Sequence, residues 1–124
     1  MPKSIFSRLS AVMSEMRKLQ EKEKGVMSIQ TLEVFLAIAA KEGVSSSDLR
    51  RSTGIAQPTV SRALGDLGDW AVKKNSEGLK LVRTERDPSD MRNVLCFLTP
   101  TGKLLAARIE QLMGAGNVSV DDAP

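Results

Sequence analysis

From Ser45 to Leu67 the chain reads SSSDLRRSTGIAQPTVSRALGDL, and within it a glycine and a proline stand four residues apart. No single helix or strand passes through that pair. Gly54 is free to take the positive φ of a tight turn, which residues with a side chain resist. Pro58 lacks an N–H and is tolerated only in the first turn of a helix, where that donor has no helical partner. The stretch must therefore break into two short pieces. Ser45 and Asp48 have the spacing of a capping box, which predicts a helix from about Ser46 to Ser52. A second helix is predicted from Pro58 to about Asp69, with Val60, Leu64 and Leu67 on its core face. Gln57 precedes it, and Thr59, Ser61 and Arg62 fall mostly on its other side.

Two short helices about a glycine turn form a helix-turn-helix. A second helix that shows small polar residues and an arginine suits the DNA major groove, with its N-terminus toward phosphate and its side chains toward base edges. Helix pairs joined by a glycine turn also occur in helical proteins that never meet DNA. Arg50 stands where the motif usually has a small residue, and Thr53 where it prefers an apolar one. Both bear on how closely the helices pack, not on the exposed face.

Upstream, Ser28 is placed to cap a helix over IQTLEVFLAIAAKEG, with Leu32, Phe35, Leu36 and Ala39 as its core face and Gly43 as its stop. Before it, Ile5, Leu9, Val12, Met16 and Leu19 recur in steps of four and three, widened by Phe6 and Met13. That is one seam of an amphipathic helix, expected to end at Gly25. Such a helix either packs on its own domain or meets a helix of a second subunit. In a domain this small the second reading is preferred.

Downstream, VKKNSEG reads as a polar loop, and Leu79 to Leu98 as a β-hairpin. DPSD, between its two strands, has the chemistry of a type I turn. Thr99 and Pro100 then open a last helix, with Leu105, Ile109 and Leu112 along one seam and Gly114 at its end. Residues 114–124 are small and polar and are expected to be disordered. A hairpin following a helix-turn-helix is the order of a winged helix. The expected fold class is mainly α with a small β-hairpin wing.

Composition narrows the chemistry. The chain has 124 residues, enough for one modest core. It has no histidine and a single cysteine, Cys96, so the commonest general base, an internal disulfide and a cysteine-based zinc site are all missing. No enzyme activity, cofactor or metal is expected. Glu85, Asp87 and Asp90 could in principle gather a metal, but beside Arg83, Arg86 and Arg92 on a hairpin tip they would more simply form salt bridges. Cys96, in an apolar strand, reads as an inert buried thiol. No apolar run approaches the ~18 residues of a membrane span. The N-terminus, with Lys3, Arg8 and no acid before Glu15, faintly resembles a transit peptide, but its apolar residues are interspersed. A soluble cytoplasmic protein is expected.

Over roughly Ser28 to Met113 the sequence resembles the MarR-type winged helix-turn-helix regulators. The matching features come in order: the apolar helix from Ile29, GIAQPTVSRAL, the wing DPSDMR and the join LTPTG. Asp90, Met91 and Arg92, followed by Leu98, Thr99 and Gly102, are the most specific of them. The resemblance implies a homodimer held by its N- and C-terminal helices on a roughly palindromic DNA site. It also implies that Arg92 enters the minor groove with Asp90 as its structural partner. The chain departs from the pattern in an insertion around GDWAVKKNS, whose Lys73 and Lys74 are either solvated or placed on phosphate, and in a short C-terminal part. Members that sense phenolic ligands use a crevice that three Phe and one Trp give no sign of, and the N-terminal cysteine of peroxide sensors is missing.

The expectation is thus a homodimeric, sequence-specific regulator of transcription on double-stranded DNA, in the sense of a repressor. Gln57, Thr59, Ser61 and Arg62 would touch bases and phosphates, and Arg86 and Arg92 would serve the wing. Residues 1–25 and 100–113 would form the dimer through Ile5, Leu9, Val12, Met16, Leu19, Leu105, Ile109 and Leu112, leaving 28–99 as the DNA-binding domain. Charge counsels an alternative. Val44 to Lys103 carries ten basic and seven acidic residues, a net +3 that is weak for a DNA binder. Asp66 and Asp69 would repel phosphate if they faced it. A winged-helix module docking on a polymerase, a replication protein or another regulator is the second reading.

Overall fold

The computed structural model describes residues 4–23, 28–68, 70–71 and 76–114. Among the described residues five helices and five strands follow in the order α1 (Ile5–Glu23), α2 (Ile29–Ala40), β1 (Val44–Ser45), α3 (Ser46–Thr53), α4 (Gln57–Leu67), β2 (Trp70–Ala71), β3 (Ser76–Glu77), β4 (Val82–Arg86), β5 (Val94–Leu98) and α5 (Pro100–Met113). Local chemistry sets most of these boundaries. Ser28, Ser45 and Thr99 each accept a hydrogen bond from the backbone N–H three residues on, satisfying a donor that the helix itself leaves open. Gly54 ends α3 in the left-handed conformation at φ +75°, as a tight turn requires.

The core lies where α2, α3, α4 and the sheet converge. Phe35, Ile38, Leu49, Leu67, Leu81 and Cys96 are all fully buried there. Truncating Phe35 to alanine would cost roughly 3–5 kcal/mol, since a close-packed core relaxes only partly around the hole. In α2 the buried stripe is Thr31, Leu32, Val34, Phe35 and Ile38. The expected face is therefore corrected by about one position: Leu36 is 41% exposed, and Ile38 takes its place in the core.

The sheet is antiparallel in the order β1-β5-β4, with Val44 opposite Cys96, Val82 opposite Leu98 and Arg86 opposite Val94. The first wing strand starts at Val82, not Leu79. Leu79 N–H, Lys80 N–H and Leu81 N–H donate to the carbonyls of Asp66, Gly68 and Leu67 at 2.8, 2.9 and 2.7 Å. These bonds serve the open carbonyls at the end of α4, and Lys80 takes φ +58° to make them. A second pair of strands also forms, β2 just before the expected loop and β3 within it: Trp70 pairs with Glu77 and Ala71 with Ser76.

Helix α1 packs along α5. Val12 and Met16 are buried with Leu32 against Leu105, Ile109, Leu112 and Met113. Arg108 reaches Glu15 at 3.3 Å, and Arg8 Nη1 donates to Met113 O at 3.0 Å, a cation where the helix dipole is negative. No described helix is long and apolar enough to cross a membrane. The expected cap at Gly25, Asp69, Lys73, Lys74 and residues 115–124 lie outside the described residues.

Candidate nucleic-acid interface

Helix α4 separates its faces cleanly. Val60, Ala63, Asp66 and Leu67 are buried, whereas Gln57, Ser61 and Arg62 are exposed and Thr59 is half-buried. Asp66 thus turns into the protein and is not on the face that a phosphate would meet. Pro58 sits in the first turn, following Ala56 as the N-terminal cap. A groove of about 420 Å³ separates α4 from the wing, lined by Ser61, Leu64, Val82, Arg83 and Thr84 among others.

The preceding turn shows how the two unusual residues are accommodated. Thr53 Oγ1 donates to Leu49 O at 2.6 Å and accepts from Ile55 N–H at 3.2 Å, so its hydroxyl is satisfied without an apolar side chain. Arg50 lies half-buried and donates to Ser47 Oγ at 3.2 Å.

The wing tip is two consecutive turns rather than one. Asp90 N–H donates to Asp87 O at 3.3 Å, Asn93 N–H to Asp90 O at 2.9 Å, and Asp87 N–H closes the loop on Asn93 O at 3.1 Å. Ser89 donates its hydroxyl and its N–H to Asp87 Oδ1 at 2.7 and 2.9 Å, which holds the Asp87 carboxyl below the usual range. Asp90 Oδ1 accepts from the Arg92 backbone N–H at 3.1 Å and from its Nε at 3.2 Å. Those two bonds, the backbone one first, depress the Asp90 carboxyl as well. The Arg92 side chain nevertheless stays 91% exposed. Arg86 is exposed, with Nη1 3.5 Å from Met91 O.

Arg83 is held differently. Its guanidinium lies 4.5 Å above the Phe97 ring and pairs with Glu85 at 2.5 Å. Glu85, Asp87 and Asp90 therefore each serve a separate partner. Among the described residues no three acidic, histidine or cysteine side chains are gathered as a metal would need. Burial pushes the Cys96 thiol up to about 11.

Below the wing, Thr99 joins three elements. Its N–H donates to Leu81 O at 3.0 Å, its hydroxyl donates to Lys80 O at 2.7 Å, and Thr99 Oγ1 also accepts from Gly102 N–H at 3.0 Å. A Cβ on Gly102 would lie 2.0 Å from Leu81 O, so the close approach of loop and helix demands glycine there. Sequence reasoning missed Ser46 and Ser47, whose hydroxyls both donate to Asn93 Oδ1 across the base of the wing. No local signal marks them, because their partners are 46 and 47 residues apart.

The chain matches no protein-family model and no curated protein. Solved structures do resemble it. A MarR transcriptional regulator from Methanosarcina mazei superposes with a TM-score of 0.60 at 19% identity, over 94% of this chain and 79% of that one. The fold is the MarR-type winged helix. FabT of Streptococcus pneumoniae, solved in complex with DNA, shares it at TM-score 0.60 and 18% identity, over 91% and 77% of the two chains. MepR of S. aureus, also solved as a DNA complex, gives 0.57 and 18%, over 88% and 84%. Within this MarR-type frame the exposed face of α4 is that of the second helix of the helix-turn-helix, and β4 and β5 are the wing.

Proposed function

We propose that the protein is a sequence-specific, double-stranded-DNA-binding regulator of transcription, acting as a homodimer and as a repressor. The observation that carries this reading is the exposed polar face of α4, bearing Gln57, Ser61 and Arg62, on a helix whose other face and Asp66 are buried. Gln57, Thr59, Ser61 and Arg62 read bases and phosphates in the major groove. Arg86 and Arg92 bring the wing to phosphate or a narrow minor groove, adding affinity and shape readout. That both FabT and MepR were solved with DNA supports the same use of the fold.

Residues 28–99 form the DNA-binding domain in this reading, and residues 1–25 and 100–113 the dimer. Val12, Met16, Leu19, Leu105, Ile109 and Leu112 hold α1 and α5 within one chain, and Ile5 and Leu9, with Phe6 and Met13, remain exposed on α1 for the second. An apolar surface of that kind is covered in stable soluble assemblies.

Selection of bound duplexes from a random pool tests the proposal. Two related half-sites about one helical turn apart are expected, with affinity falling by orders of magnitude between ~50 and ~200 mM salt. No enrichment of any duplex at low salt would overturn it in favour of a protein-docking module.

A further inference from the structure

Asn93 stands between the wing tip and α3, and its amide is engaged at both ends. Its Oδ1 accepts from Ser47 Oγ at 2.5 Å and from Ser46 Oγ at 3.2 Å. Its Nδ2 faces Asp90 Oδ2 at 3.5 Å, on the carboxylate whose other oxygen holds Arg92. The reversed amide would set its oxygen against a carboxylate oxygen, so the observed orientation is the one that this setting favours. Ser46 Oγ also accepts from Val94 N–H at 3.2 Å, and Ser47 Oγ from Arg50 at 3.2 Å. A chain of polar contacts therefore runs from Arg50 through Ser47, Asn93 and Asp90 to Arg92.

The wing needs such an anchor. β1 supports β5 only at Leu95 and Cys96, so toward the tip the wing is a two-stranded hairpin, marginal by itself, and β4 presents Arg83 to Arg86 to solvent. A swaying tip would have to be ordered each time it met a ligand, and that ordering costs affinity. The Asn93 backbone already closes the loop through Asp87 and Asp90, so its side chain ties that closed base to the capped start of α3. Arg50, unexpected in a helix-turn-helix, supports the far end of the chain.

We propose that Asn93 is a positioning residue: it holds Asp90, and through it Arg92, at the angle at which the wing meets the duplex. This rests on the DNA-binding reading above. The experiment titrates the full-length wild type, Asn93→Ala, Arg92→Ala and the double variant against the selected duplex, at salt from ~50 to ~200 mM. Asn93→Ala is expected to weaken binding about five-fold, and the double variant to bind no worse than Arg92→Ala alone. The salt slope of Asn93→Ala should fall toward that of Arg92→Ala, a change that a loss of stability alone would not cause. Asn93→Asp keeps the acceptor for both serines but sets a carboxylate against Asp90, and should bind more weakly than Asn93→Ala. Should Asn93→Ala fail to fold, Ser47→Ala removes the 2.5 Å bond from the other side and is expected to lower the slope in the same way. Fold-losses that multiply, or an unchanged slope, overturn the inference alone. A wild type that binds no duplex overturns it together with the DNA-binding reading.

Discussion

At the scale of single residues, the signature Asp90, Arg92, Thr99, Gly102 resolves into separate physical tasks. Gly102 is a steric requirement, with Leu81 O only 2.0 Å from where a Cβ would stand. Gly102→Ala is expected to destabilise the fold by on the order of 3 kcal/mol, read from the midpoint of urea unfolding. Asp90 is electrostatic. Its carboxyl is depressed by the Arg92 backbone N–H first and by the Arg92 side chain second. The sign follows: the contribution of the ionised form is present at neutral pH and is lost as pH falls through the depressed value. In an NMR titration Arg92→Ala should raise the Asp90 midpoint only partway, because the backbone donor survives the substitution. A midpoint restored fully to the ordinary carboxylate value would contradict that order of causes. Thr99 and Gly102 could be picked out in the sequence as a cap and a glycine, but not that both meet the Lys80–Leu81 backbone.

At the scale of elements, α4 and the wing are expected to contribute differently. Arg62 is exposed on α4; if it reads a base edge as proposed, Arg62→Ala should cost about 1–3 kcal/mol on the preferred site and little on random duplex. Arg92→Ala should weaken all duplexes alike and reduce the salt slope by about one. Competition gel shifts with specific and random duplex separate the two; loss of specificity in both variants would mean that the wing also reads bases. The helices were legible because caps, Gly54 and Pro58 act within four residues of the position they control. The start of β4 was not. Leu79 to Leu81 alternate like a strand, yet their N–H groups are taken by carbonyls at the end of α4. Likewise β1 is only two residues long, and exists because Val44 finds Cys96 more than fifty residues away.

At the scale of the whole molecule, the question is what α1 and α5 are for. The sequence shows one apolar seam on each, and a seam is the same pattern whether its partner is in the same chain or another. The structure divides it: Val12 and Met16 are spent inside the chain, while Leu9 is 47% and Phe6 79% exposed. If a second copy covers that end of α1, analytical ultracentrifugation should find twice the 13.4 kDa chain mass. Leu9→Glu should then give a folded monomer, with unfolding free energy within about 0.5 kcal/mol of the dissociated wild type. Its affinity for a two-half-site duplex should drop by about a hundred-fold, since each half would bind alone. A monomeric wild type would remove the dimer and leave the DNA-binding domain standing.

The sequence by itself determined the helix-turn-helix, the order of wing and last helix, and the residues on the outer face of α4. Those follow from capping, turn chemistry and periodicity, which are local interactions. Only the tertiary structure decided where the wing begins, which way Asp66 faces, and that Asn93 joins the wing to α3. These depend on which backbone and side-chain groups find a partner many residues away, and a hydrogen bond between distant segments leaves no periodic trace in the chain that makes it.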